Sequence, residues 1–267
     1  SNIETPTDKF KLYEAWAEYK IPVASLSVLA GIHDLNSEFY VTDSSAVFLN
    51  SSFGVGREFS QTGDMGPSIF PYTSPAIRLH FDGPESVYFQ TAAFGAKSGN
   101  PNAPAESRFR FNSEDGFLTV TEFGRAKTGK LSSKIALGQW QYTKTFDHSS
   151  ETVTDSNGNT VARQVASNGF YALFNQSLTE KTSVFVRFGS ASTASNAVES
   201  DLSGGVLFVG PLNARPEDKL GLGCTSVAPS DHNLTRETTY ELTYRAEMGH
   251  GIALQPDLQF VTAPSFS

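Results

Sequence analysis

Hydrophobic and polar positions alternate with a period of two along much of the chain, and the clearest case lies in residues 236–262. There Thr238, Tyr240, Leu242, Tyr244 and Ala246 alternate with Glu237, Thr239, Glu241, Thr243, Arg245 and Glu247. After the turn-forming run Met248-Gly249-His250-Gly251, Ile252, Leu254, Leu258 and Phe260 are set against Gln255, Asp257 and Gln259. Successive side chains of a strand point to opposite faces, so this pattern predicts a hairpin with one apolar and one polar face. A soluble sandwich shows the same alternation. Two details favour a membrane-spanning barrel. The segments are about as long as a tilted transmembrane strand, roughly 9–11 residues, and the polar face carries several charges rather than Ser and Thr alone.

The same period predicts strands over residues 10–19, where Leu12, Tyr13, Trp16 and Tyr19 would also suit an amphipathic helix, and over 23–32, 75–82, 87–96, 117–124, 130–143, 169–176, 183–190, 202–210 and 219–227, with a short one at 108–111. Between them, residues 97–107 and 145–167 are expected to be loops, the second with Asp155-Ser156-Asn157-Gly158-Asn159 at its tip. In residues 33–71 the alternation fails, and Asn50, Gly54, Gly56, Gly63, Gly66 and Pro67 appear instead. A connection of that length without structure of its own is uncommon and usually functional. Two readings stand for it: a long surface loop, or a segment folded into a mouth or lumen. Pro256 stands out in mid-strand, because proline cannot donate to a sheet ladder.

Several runs carry a family resemblance. Residues 240–247 (Tyr-Glu-Leu-Thr-Tyr-Arg-Ala-Glu) and 254–261 (Leu-Gln-Pro-Asp-Leu-Gln-Phe-Val) resemble the late strands of the carbohydrate-selective porins, the OprB family. Leu12-Tyr13-Glu14 with Trp16, residues 34–39 and 48–54, the Gly169 to Gln176 strand and the turn from Gly210 to Asp218 are similar to the same family. The resemblance implies an all-β fold, a transmembrane antiparallel β-barrel of about sixteen strands around an aqueous channel. It implies one porin domain over residues 1–267, with 33–71 as the mouth or lumen segment, in the bacterial outer membrane. About a dozen strands are legible, with short turns alternating with long loops as in outer-membrane barrels. That falls short of closure, and an open edge leaves backbone groups unsatisfied in lipid, so strands are expected to be missing at both ends.

Composition changes the picture in three places. The chain is 39% hydrophobic with a mean hydropathy of -0.26, and no apolar run approaches the length of a transmembrane helix. A barrel strand gives only every second residue to lipid, so this average does not count against a barrel. The net charge of -8 argues against nucleic acid as a partner. Cys224 is the only cysteine, which rules out an internal disulfide and a cysteine metal cluster.

No catalytic arrangement emerges. The five histidines are scattered without metal-ligand spacing, no Gly-x-Ser-x-Gly occurs, and nothing singles out a pair of carboxylates. Neither enzyme activity nor a cofactor is expected. With the apolar faces in lipid, Arg78, His80, Glu122, Arg187, Glu241, Arg245, Asp257 and Gln259 are expected to line the pore, where such charges, donors and acceptors set selectivity. The function implied is a passive channel for monosaccharides or other small sugars. Its partners would be carbohydrate solutes, outer-membrane lipids and lipopolysaccharide, with the barrels single or self-associated. The alternative is a soluble carbohydrate-binding β-sandwich, and a third reading is a barrel enzyme such as a lipase. Two expectations follow for variants. Leu242→Arg should be far more damaging than Glu241→Ala, and Arg187→Ala should lower sugar affinity while leaving folding intact.

Overall fold

The structure, a computed structural model, describes residues 11–99 and 114–264. Its thirteen strands are β1 (Ala15–Ile21), β2 (Leu26–His33), β3 (Ser74–Asp82), β4 (Val87–Gly95), β5 (Phe117–Lys127), β6 (Ser133–Thr154), β7 (Thr160–Ser177), β8 (Thr182–Ala191), β9 (Val198–Val209), β10 (Lys219–Pro229), β11 (Glu237–Gly249), β12 (Ile252–Leu254) and β13 (Asp257–Thr262). They form one sheet in which each strand from β1 to β11 pairs with the next, while β12 and β13 both pair with β11. All the pairings are antiparallel. Among the described residues the sheet is open, with β1 at one edge and β12 and β13 at the other. There is no second sheet among the described residues to make a sandwich. No helix among the described residues is long and apolar enough to cross a membrane, which does not bear on crossing by strands.

The strand expected at 108–111 lies outside the described residues, as does most of the loop expected at 97–107. The first strand starts later than expected and runs to Ile21. A larger correction concerns residues 145–167, which are not a loop. They belong to β6 and β7, strands of 22 and 18 residues that meet at a tight turn where Asp155 N–H donates to Asn159 O (2.9 Å). Apolar alternation stops partway up this hairpin because its outer part meets water on both faces. The ladder continues there with two register shifts.

Pro256 is accommodated without loss of register. It lies between β12 and β13, yet the register runs unbroken across the gap, from Ala246 opposite Leu254 to Thr243 opposite Asp257. Pro256 O accepts from Tyr244 N–H at 3.0 Å. Only the reciprocal donation is missing, so the strand is interrupted without being displaced.

The two faces of the sheet are the reverse of what a water-soluble protein shows. Following the register outward, Phe89, Phe123, Leu137, Phe188 and Leu202 stand in one row, and Leu222, Leu242 and Leu258 in another, all of them exposed. The inward rows hold Arg78, Glu122, Arg187, Asp201 and Glu241, each at most 3% exposed. An apolar band of this extent is stable against hydrocarbon and not against water.

What covers the inward face is the chain itself. Residues 34–73 fold into short 3₁₀ turns and one brief helix, α1 (Arg57–Ser60), and pack against the wall. Leu35, Phe39, Tyr40, Val55 and Phe59 join Phe94, Leu118, Val120, Trp140 and Tyr171 in one cluster, with Phe59 stacked on Trp140 at 4.7 Å. Val47, Phe48 and Phe53 meet Phe185 and Leu207 in a second. Close approach depends on wall glycines. A Cβ at Gly189 would lie 1.8 Å from Glu58 Oε1, and one at Gly223 would lie 2.7 Å from the Phe48 ring. Both clusters hold this segment against the inward face of the sheet.

Leu242 lies mid-row between Leu222 and Leu258, with Tyr240 and Tyr244 on either side along β11. Leu242→Arg is expected to destabilise the folded protein in phospholipid by roughly 2–4 kcal/mol. Denaturant unfolding from vesicles measures this, and an unchanged midpoint would mean that this face does not meet lipid.

Candidate functional site

The inner segment has no regular ladder, so its backbone N–H groups need other acceptors. The wall supplies them. Glu122 accepts from Tyr40 N–H (3.2 Å), Asn175 Oδ1 from Ser44 N–H (3.1 Å) and Asp201 from Arg57 N–H (2.9 Å). Glu241 takes two, from Leu49 N–H at 2.6 Å and Asn50 N–H at 3.0 Å. Arg187 works in the opposite sense, donating to the carbonyls of Phe53 and Gly54 while its guanidinium lies 4.7 Å from the centre of the Tyr40 ring. Hydrogen bonds to ionised groups are about twice as strong as neutral ones, and here they fix the path of an irregular segment.

Glu122 is the most heavily coordinated of these groups. It accepts also from Tyr88 OH (2.6 Å), Tyr171 OH (2.8 Å) and Gln90 Nε2 (3.2 Å), and Lys134 Nζ lies 3.2 Å away. Two carboxyls of the inner segment are pushed in opposite directions. Burial and the nearby negative charge of Asp201 raise Glu58 from its ordinary 4.5 to about 8. Burial would raise Glu38 as well, but hydrogen bonds from His33 and Arg78 outweigh it and hold Glu38 at about 2.

Beside this packed region two adjoining clefts remain open. One, of about 400 Å³, is lined by Glu18, Lys20, Glu38, Arg78, His80 and Asp82 among others. The other, of about 420 Å³, shares Glu38, His80 and Asp82 and adds Tyr88, Gln90 and Lys134. Arg78 grips Glu38 through Nε (2.7 Å) and Nη2 (2.6 Å), and reaches Glu18 at 2.9 Å and Ser27 Oγ at 2.6 Å. The His80 ring stacks on Tyr88 at 5.8 Å, with Nδ1 3.0 Å from Gln90 Oε1.

The eight residues singled out from the sequence therefore fall into two clusters of three and two single residues. Arg78 and His80 line the clefts, and Glu122 lies behind them, joined to His80 through Gln90. Glu241, Asp257 and Gln259 lie together under Leu49 and Asn50, with Gln259 bonded to Asp257 (2.9 Å) and to Asn50 (3.2 Å). Arg187 stands between these groups, inward but covered. Arg245 belongs to neither cluster and pairs with Glu247 at 2.7 Å.

Sequence reasoning missed Glu18, Glu38, Glu58, Gln90 and Lys134. Gln90 and Lys134 share the inward parity of Glu122 on neighbouring strands and could have been found that way. Glu38 and Glu58 sit where no periodicity exists. Two expectations about variants also need correction. Glu241→Ala removes the acceptor of two backbone donors and is not mild, and Arg187 is an anchor whose loss disturbs the segment it holds.

A wall of antiparallel strands, apolar outside and charged inside, with a chain segment folded against its inner face, is the architecture of a transmembrane β-barrel channel. The family model for carbohydrate-selective porins, the OprB family, matches residues 4–267, and the chain belongs to that family. It is thus an outer-membrane β-barrel protein of a family of channels rather than enzymes. Porin B of Pseudomonas aeruginosa is 22% identical over 246 residues, a match covering 77% of this chain and 54% of that protein. The chain thus spans about half the length of this curated relative. The high-pH structure of Pseudomonas putida OprB superposes with a TM-score of 0.78 at 19% identity, covering 93% of this chain and 67% of that one. For the low-pH structure of the same protein the TM-score is 0.58 at 17% identity, over 93% and 61%.

Glu58 gives this site a pH dependence of defined sign. Its folded-state value is raised, so the stability it contributes is complete below pH 4.5 and is lost as pH rises through about 8. Trp140, stacked on Phe59 of α1, reports the packing. In a Trp16→Phe background its emission is expected to shift to the red around pH 8, and Glu58→Gln to abolish that step. A flat wild-type titration would show that Glu58 does not govern the segment.

Proposed function

We propose that this chain forms the wall of a passive outer-membrane channel for small carbohydrates. Residues 1–267 act as one porin domain, and residues 33–71 narrow the lumen. The observation that carries the reading is the pair of wet clefts left between the wall and the inner segment. Their linings supply what sugar hydroxyls need in place of water: carboxylate acceptors, amide and guanidinium donors, and the Tyr88 ring with its stacked His80.

Charge in the clefts supports neutral solutes over ions. Every cation there has a carboxylate within reach: Arg78 has Glu38 and Glu18, Lys134 has Glu122 (3.2 Å) and Lys20 has Glu18 (3.6 Å). His80 is 3.2 Å from Asp82. A passing solute meets strong local dipoles and little net field, which favours polar neutral molecules. In this reading Arg78 and His80 touch solute and Glu122 positions the groups around them. Arg187, Glu241, Asp257 and Gln259 set the lumen width by holding the segment, and Arg245 stands at the rim. Lipid and lipopolysaccharide surround the barrel. In a bilayer both open edges of the sheet need backbone partners.

Conductance of the protein in planar bilayers, with monosaccharides and disaccharides as blockers, tests the proposal. Sugar should reduce the current in the wild type, and His80→Ala should weaken that block. Arg78→Ala removes one positive charge and leaves Glu18 with Lys20 alone and Glu38 with His33 alone, so the reversal potential across a salt gradient should move toward cation preference. A current indifferent to sugar, in the wild type as in both variants, would point to a general pore.

A further inference from the structure

The outward face is not uniformly filled. On β7 the outward positions run Phe170, Ala172, Phe174, and across the sheet Ala172 lies between Leu137 of β6 and Phe188 of β8. An alanine among large side chains leaves a notch of about 440 Å³, bounded by Phe123, Ile135, Leu137, Phe174, Val186 and Phe188. Apart from Arg125, the residues lining it are apolar.

Arg125 stands on its rim, and it is out of place on a lipid-facing row. By register it shares that row with Val87, Ile135, Phe174 and Val186. A cation on the lipid face is tolerated near the interface and costly at the midplane, which puts this rim at headgroup depth. Nearness to the short turn between β5 and β6 agrees. Lys127, the next outward position on β5, is exposed beyond it, so the strand reads apolar, cation, cation toward the turn. Arg125 is held in place by its Nε donating to Glu85 O at 2.9 Å, while the Glu85 carboxylate is only loosely paired at 3.8 Å and is largely exposed. Lys130 in the same turn is taken up by Glu180 at 2.8 Å. Arg125 thus lines the apolar notch, with Lys127 exposed one outward position beyond it.

We infer that this notch seats one acyl chain of an anionic glycerophospholipid, with the lipid phosphate on Arg125 and Lys127. Apolar contact along Ala172 and Phe123 holds the chain. The two cations select the headgroup, since basic side chains at a membrane surface favour anionic lipid and a guanidinium binds phosphate through paired donors. The inference needs the outward face to meet lipid but is independent of which solute the channel passes.

Native mass spectrometry of the purified protein, delipidated in detergent and offered phosphatidylglycerol or phosphatidylcholine, decides the matter. The wild type should retain one phosphatidylglycerol in preference to phosphatidylcholine. The double variant Arg125→Ala, Lys127→Ala should lose about tenfold of that preference while still binding chain-like lipid. Ala172→Leu, which fills the notch, should reduce retention of both lipids. Bilayer conductance should be unchanged in all variants, showing that the barrel is intact. Equal retention of the two lipids by the wild type would overturn the inference. So would a preference for lipopolysaccharide, or an Ala172→Leu effect confined to the oligomeric mass, which would make the occupant a second copy of the chain.

Discussion

The bonds from wall carboxylates to backbone N–H groups of the inner segment are the constraint on which the rest of this structure depends. A segment of some forty residues with no ladder of its own would leave many buried donors unpaired, at a cost of about 1–3 kcal/mol each. Glu122, Asp201 and Glu241 remove that cost at separate points, and Asn175 does so at a fourth. The acids are useful there only because the segment is present. Without it they would be carboxylates facing an open lumen, and with it they are buried acceptors. Wall and segment therefore specify each other.

The same logic explains how charge is tolerated on the inward face. A buried ion is costly unless paired and hydrogen-bonded. Glu122 meets that condition with two tyrosine hydroxyls, an amide, a backbone N–H and Lys134. Arg187 meets it in part, with carbonyl oxygens and an aromatic face rather than with a carboxylate, its Nε having no partner in the structure. Glu58 meets it only in part, with one oxygen on Tyr40 OH at 2.8 Å and Oε2 without a partner in the structure, and its proton affinity rises accordingly. Stability is thus unevenly distributed, and α1 is where the segment responds to pH.

Strand parity was legible in the sequence because one face meets lipid and the other does not. Thr238 to Glu247 announced both faces, and the row of Leu222, Leu242 and Leu258 follows from it. Parity failed wherever that asymmetry ends. The upper part of the β6–β7 hairpin is wet on both sides, so a strand read as a loop. Residues 34–73 have neither a lipid face nor a ladder, and Glu38 and Glu58 gave no signal there. Parity also says only that a side chain points inward. It could not separate Arg78, which lines an opening, from Arg187, which lies beneath the segment, because that difference is made by residues more than a hundred positions away.

Where an opening survives is decided by where the apolar clusters are. Phe39, Tyr40, Val55 and Phe59 fill the space against β3 to β8, and Val47, Phe48 and Phe53 fill it against Phe185 and Leu207. At the turn end of β1 to β6 no such cluster forms. There Glu38 faces the wall, and a bidentate bond to Arg78 replaces apolar contact. Arg78 spends its donors on Glu38, Glu18 and Ser27, so the segment is held to the wall by polar bonds rather than sealed against it by apolar contact. The clefts are the consequence, and their polar lining follows from the same substitution of an ion pair for a packed side chain. Position and chemistry of the opening thus have one cause.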